Sequence, residues 1–273
     1  MIEASLLALL FGLLIGSFLN VCIYRWPRDL SVVRPRSHCT SCDATIAWYD
    51  NIPLVSYLVL AGRCRQCKTR ISPRYPIVEL VTAALFFYFV ATLGPTLAAL
   101  KFCCFSAMLV ALICSDLEER ILPDEFTLGG ALLGIAFAVF VPVTDPAVSL
   151  APALLWPFHI TPVGRWVWIS ESLAGALVPS LALWFGGWVY FKVRHREGLG
   201  FGDVKLVAMV GSFLGLQGAL WTLILGSVAG SILGYGYIKL THQDPDTYEL
   251  PFGTFLGAAA LLSTLLGKSL FGA

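Results

Sequence analysis

Long apolar windows, separated by short polar or proline-rich breaks, dominate the chain. Taking about 18 apolar residues as one membrane span, the pattern predicts eight helices, over roughly 2–24, 76–93, 97–115, 125–142, 170–191, 203–217, 219–238 and 252–271, the sixth short and glycine-bearing. The breaks fall at LGPT (93–96), LPDE (122–125), a proline-rich stretch (142–164) and THQDPDTYELP (241–251). Between the first two windows lies a polar, cysteine-bearing segment. The expected architecture is therefore an all-α polytopic membrane protein with about eight transmembrane helices. A first helix over 1–24 leads into a small cytoplasmic zinc-binding loop domain over 25–75, and a seven-helix membrane domain follows over 76–273. No internal repeat is visible.

Composition agrees: 58% of the 273 residues are apolar and 13% charged, against about 25% charge in soluble domains. The net charge of +1 hides an asymmetry, because residues 25–74 hold nine Lys or Arg against three Asp. Nucleic-acid binding would need basic and aromatic residues interleaved on one surface, and the positive-inside rule accounts for this block more simply as a cytoplasmic loop. The N-terminal window has no basic leader and reads as a retained span rather than a cleaved signal. Threading eight spans with the N-terminus outside puts fifteen Lys or Arg on the inner side and leaves Lys101, Arg165 and Lys268 outside, which supports that orientation.

The loop carries two CxxC pairs, Cys39/Cys42 and Cys64/Cys67, with twenty-one residues between them. Four thiolates satisfy a tetrahedral Zn2+ with no open position, so the metal would be structural. The other reading, two redox pairs or disulfides, conflicts with a reducing inner compartment. A loop of this size also needs a staple to hold its fold. Cys22, Cys103, Cys104 and Cys114 fall in spans and read as small hydrophobes.

Two acids stand apart. Asp116 ends the third window in LICSDLEERILPDEF, and Asp203 opens the sixth in GLGFGDVKL (198–206), both at the inner boundary. Two carboxylates in reach of each other share a proton, so one can act as base on a water while the other polarises a carbonyl. Gly200 and Gly202 would let backbone pass close to substrate and take φ values closed to other residues. Asp203 also reads as a first-turn helix acid or as a partner for Lys205, and Asp124 as a cap for the fourth window. Glu118 and Glu119 read as solvated beside Arg120. Glu79, inside the second window, reads either as paired with a loop base or as polar lining of a site. The residues alone leave an ion-coupled transporter and a zinc-bearing scaffold open beside a protease. No HExxH, GxSxG or P-loop is present, and none of His38, His159, His195 and His242 lies within a span beside a plausible nucleophilic serine.

Several stretches together resemble the type IV prepilin peptidases, bifunctional leader peptidases and N-methyltransferases of bacteria. They are GSFLNVCIYRWP (16–27), SHCTSC with WYDNIPLVSYLVLAGRCRQC (37–67), ISPRYPIVEL (71–80), the Asp116 segment with ILPDE, GLGFGDVKL, and PFG (251–253). The resemblance implies an inner-membrane aspartic protease of the GxGD type, with Asp116 and Asp203 as catalytic pair. The implied substrates are prepilin or pseudopilin precursors with a short basic leader, cut after a glycine at the cytoplasmic face. It implies methylation of the new N-terminal residue, typically Phe, from S-adenosylmethionine, with Gly62 at a position tied to that step. Membrane lipid is the other expected partner. Thr254 stands where the family commonly shows proline, and the 142–169 loop is long; neither departure is expected to touch the dyad.

Overall fold

The computed structural model describes residues 2–143, 149–155, 157, 162–196, 199–241 and 250–270, with side chains to 266. Gly198, His159, His242 and the side chain of Lys268 lie outside the described residues. Ten α-helices form the described chain: α1 (Ile2–Arg25), α2 (Val55–Val59), α3 (Arg74–Leu93), α4 (Leu97–Glu119), α5 (Asp124–Ala138), α6 (Ala151–Leu155), α7 (Arg165–Arg194), α8 (Phe201–Ala229), α9 (Tyr235–Thr241) and α10 (Phe252–Leu270). A π-helical turn, Gly230–Gly234, joins α8 to α9.

The chain is all-α and crosses a membrane several times, but five helices, not about eight, are long and apolar enough to span it: Ile2–Arg28, Arg74–Leu93, Leu97–Glu119, Arg165–Arg194 and Phe201–Thr241. Apolar windows measure composition, whereas a span needs an uninterrupted helix of sufficient length. The fourth window folds as a helix of 15 residues, and the apolar part of the eighth is the short helix Phe252–Leu266. The sixth and seventh windows run on as one 41-residue helical stretch.

The described structure closes into two units, Met1–Ala111 and Leu112–Ala273. In the first, α1 packs along α3. Gly12 and Gly16, one helical turn apart, make this possible: a methyl group on Gly12 would lie 2.6 Å from Ala83 Cα and one on Gly16 2.7 Å from Glu79 Cα. Small residues at this spacing let backbones touch where lipid offers no hydrophobic drive. Asn20 Nδ2 donates to Tyr75 O at 3.1 Å, tying the end of α1 to the start of α3. Arg25, buried, donates to Ser31 O and Pro35 O, both at 2.8 Å, and so turns the chain out of α1 into the loop.

In the second unit α8 is the centre, with α5, α7 and α10 packed on it. Gly175 of α7 sits against the backbone at Gly211 and Gly215 of α8. At Gly215 the helix breaks, with φ 75° and ψ −176°, a conformation that favours glycine. An unbroken helix would pair Leu216 N–H with Ser212 C=O; here both are met from α7. Glu171 Oε1 accepts from Leu216 N at 3.0 Å, and Ser172 Oγ donates to Ser212 O at 2.7 Å. The other oxygen of Glu171 accepts from Ser149 Oγ at 2.6 Å and from Ala151 N, the first residue of α6, at 2.8 Å.

Glu171 is fully buried, and its removal would orphan three donors. Glu171→Ala is expected to destabilise the folded protein by on the order of 3 kcal/mol, well beyond Ser172→Ala, which loses one bond. Thermal unfolding of both variants in detergent checks the order.

Candidate functional site

Asp116 lies in the last turn of α4 and Asp203 is the third residue of α8. Asp116 is 5% exposed and Asp203 half-buried. The two come together around Leu122. A methyl group on Gly202, next to Asp203, would lie 3.3 Å from Leu122 Cβ; one on Gly253 would lie 2.9 Å from Leu122 Cδ1 and 3.2 Å from the Asp116 carboxyl carbon. Asp203 is within electrostatic reach of Asp116, and Asp116 within that of Arg120. A side chain at Gly253 would fill the space beside the Asp116 carboxyl.

The oxygens of the two acids differ in their partners. Asp116 Oδ2 accepts from Thr254 N at 2.6 Å and from Thr254 Oγ1 at 2.8 Å. The expectation that Thr254 would leave the pair untouched is therefore wrong. A proline there could donate neither bond, so the departure from the resembled pattern is itself a contact with Asp116. Among the described residues no group donates to the Asp203 carboxyl. Lys205, a candidate partner for it, pairs with Asp124 at 2.6 Å, and Asp124 makes no side-chain cap for α5.

Gly200 precedes α8 with φ −66°, and Gly202 is helical, so neither uses the left-handed region that the sequence suggested. Their size matters instead: a methyl group on Gly200 would lie 3.2 Å from Asp203 Oδ2. Among the described residues Glu79 pairs with no base. Its Oε2 accepts from Leu54 N at 2.8 Å, at the head of α2.

The four loop cysteines converge, with all Sγ atoms within 4.8 Å of one another and Cys39 Sγ 3.8 Å from Cys67 Sγ. Zinc–sulfur bonds of about 2.3 Å put tetrahedral sulfurs about 3.8 Å apart, so the cage is close to the size that ion needs. Each pair sits on a knuckle closed by the same bonds. Cys39 N donates to Ala44 O and Asp43 N to Cys39 O; twenty-five residues on, Cys64 N donates to Thr69 O and Lys68 N to Cys64 O. The backbone thus repeats where no repeat is visible in the residues, because only the cysteines and the following Ile46 and Ile71 coincide. His38 lies beside this cluster with Nδ1 on Arg36 O at 3.2 Å and is not among its ligand atoms.

Electrostatics suit the cage to a cation. The Thr69 hydroxyl and backbone N–H lower Cys67 to about 6, and the backbone N–H groups of Cys67 and Gln66 lower Cys64. Cys42 goes the other way, to about 11: the Ala44 amide opposes the rise, but partial burial and the thiols of Cys67, Cys39 and Cys64 outweigh it. Further proton loss is resisted until positive charge enters.

Gly62 holds φ 64° just past α2. Its N–H donates to Tyr57 O at 2.9 Å and its carbonyl accepts from Ile71 N at 2.7 Å. A side chain there would meet the Tyr57 ring at 3.0 Å.

Residues 10–93 match the bacterial peptidase A24 N-terminal domain, and residues 103–235 match the type IV leader peptidase family. The chain is similar to a prepilin leader peptidase/N-methyltransferase of Pseudomonas putida, 33% identical over 287 residues, covering 97% of this chain and 91% of the relative. A protein of the same name from Aeromonas salmonicida (strain A449) is 34% identical over 289 residues with the same coverage. One from Myxococcus xanthus is 41% identical over 223 residues, covering 82% of this chain and 60% of the relative. No solved structure matches the chain.

In metal-free protein the Cys67 thiol, lowered to about 6 by Thr69, is expected to ionise before that of Cys42, which is raised. In chelator-treated protein, iodoacetamide is expected to label Cys67 before Cys42 at pH 7. The Cys67 rate should fall as pH drops through about 6, and Thr69→Val should move that fall to higher pH. Peptide mass spectrometry reads both.

Proposed function

The chain belongs to the type IV leader peptidase family, and we propose that it is a membrane aspartic endopeptidase for prepilins or pseudopilins. It removes their basic leader and then methylates the new N-terminus. The observation that carries the cleavage reading is the meeting of Asp116 and Asp203 around Leu122 and Gly253, with one Asp116 oxygen held by Thr254.

Roles follow from those partners. Asp116 Oδ2 accepts two donors at once, so it carries no proton, and Oδ1 is the oxygen that faces a water. Asp116 takes a proton from that water as its oxygen attacks the scissile carbonyl carbon. Asp203, protonated, gives its proton to the carbonyl oxygen. When the tetrahedral intermediate collapses, the C–N bond breaks, the leaving amine takes the proton held by Asp116, and Asp203 recovers its own from the hydroxyl. Gly202 and Gly253, having no side chains, let Leu122 pack close beside the acids. Thr254 is a positioning residue that fixes which Asp116 oxygen reacts.

The site faces the cytoplasm of the inner membrane. Basic residues gather at the ends concerned: Arg120 follows Asp116, and Lys192, Arg194 and Arg196 precede Asp203. A precursor with a basic leader and an apolar helix presents its junction at that depth.

Cys39, Cys42, Cys64 and Cys67 would hold one Zn2+, closed to further ligands and therefore structural. S-adenosylmethionine enters as methyl donor, a substrate. Gly62 has both backbone polar groups engaged within the loop, so its contribution to methyl transfer is to shape the turn after α2.

One assay tests both reactions. With a prepilin as substrate, Asp116→Asn and Asp203→Asn should each abolish cleavage while the protein stays folded and inserted, and near-normal processing by either ends the dyad reading. Thr254→Val should lower kcat about tenfold, the loss expected for one hydrogen bond to a charged group, with KM little changed, and Thr254→Ser should restore it. The mass of the product N-terminus should rise by one methyl group when S-adenosylmethionine is present. Separately, purified protein should contain about one zinc per chain, lost from the Cys39→Ser, Cys42→Ser double variant; unchanged zinc there refutes the four-thiolate cage.

A further inference from the structure

The loop between α1 and α3 exposes a cluster of large apolar side chains that its own packing does not explain. Trp48, Tyr49, Ile52, Val55, Leu58 and Val59 are all exposed within twelve residues, with Trp48 at 74%, Leu58 at 76% and Val59 at 73%. A small water-facing module rarely shows so much contiguous apolar surface without a partner. We propose that this segment, the turn Trp48–Asn51 and α2, lies in the headgroup and upper acyl layer of an anionic lipid surface, as an interfacial anchor for the loop domain.

Depth is the first argument. Glu79 stands five residues into α3, about 7 Å along a helix rising about 1.5 Å per residue. Its carboxylate accepts from Leu54 N, the residue just before α2. The head of α2 is therefore fixed beside the first turns of a membrane-crossing helix and not out in the cytosol. On either side of Glu79, Ile77 and Leu80 are exposed along α3, as expected of residues facing lipid. The head of α2 is thus tied to a helix whose outer face meets the bilayer.

Chemistry is the second argument. Trp and Tyr favour the headgroup level, where a ring is half apolar and half wet. The same domain holds nine Lys or Arg against three Asp over residues 25–74, and basic residues beside an apolar face are drawn to anionic lipid. Arg65 is held by Asp50, with Arg65 Nη2 2.6 Å from Asp50 Oδ1, and lies 5.7 Å from the centre of the Tyr49 ring. That fixes a cation beside the aromatic pair. Anchoring also gives Gly62 a purpose beyond its turn: the loop bearing it leaves α2 at the membrane surface, where an apolar precursor would emerge. The lipid assignment does not depend on the Asp116 and Asp203 reading, and each fails by its own test.

Full-length protein is reconstituted into vesicles of phosphatidylethanolamine and phosphatidylglycerol whose chains carry bromine near the headgroup. The emission of the wild type minus that of Trp48→Phe isolates Trp48. Bromolipid is expected to remove more than half of that signal, and iodide in the bulk to remove little. A Trp48 signal quenched by iodide and untouched by bromolipid overturns the proposal. Protection from iodide that arises only on adding a prepilin peptide, or only at high protein-to-lipid ratio, identifies a precursor or a second copy as the occupant and also overturns it. A photoreactive p-benzoylphenylalanine in place of Leu58 reads the same face independently. Phospholipid adducts are expected, and adducts to protein alone contradict the assignment.

Discussion

Inside a bilayer each backbone N–H and C=O must find its partner within the protein, and the break at Gly215 is where this chain meets that demand in the middle of its central helix. Turning the backbone there frees Leu216 N–H and Ser212 C=O, and two neighbouring residues of α7 answer both. The close approach that permits it depends on Gly175 and Gly211. Burial of Glu171 is tolerable because three donors surround its carboxyl group, two of them backbone N–H groups. The end of α8 that carries Asp203 is thus set by a clamp about three helical turns away.

The same accounting separates the acids of the spans. Glu171 receives three donors and Glu79 a backbone N–H, and each ties one element to another. Asp116 has one oxygen occupied by Thr254, while among the described residues no group donates to the Asp203 carboxyl. Acids with their lone pairs filled hold the fold. Those left with capacity sit together beside Gly253 and Leu122, where a water and a peptide group could complete them.

Much of this was legible in the residues, and the rest failed for physical reasons. Two CxxC pairs name a tetrahedral cage because thiolate chemistry is local to four residues. Asp116 and Asp203 stood out because the threading puts both at the same inner boundary, one of them behind glycines. Window hydropathy could not count spans, since a 15-residue helix such as α5 and the two parts of the Phe201–Thr241 stretch, broken at Gly215, look the same by composition as separate crossings. Lys101 was read as a boundary charge and is fully buried in α4, with its ammonium 5.3 Å from the centre of the Phe102 ring. Thr254 and Glu171 escaped because their importance lies in what they touch 138 and 45 residues away, and nothing in their local sequence records that. Glu79 was singled out correctly as uncomfortable, but its partner was a backbone N–H, which carries no signature of its own.

The link from Asn20 to Tyr75 O holds the place where the chain leaves α1 beside the place where it enters α3, and the glycine contact below keeps the two helices together whatever lies between them. A segment whose two ends are pinned side by side can lengthen, shrink or be exchanged without shifting the hairpin beneath it. The loop domain is in that sense a cassette. It could be rebuilt while the buried framework below keeps its register.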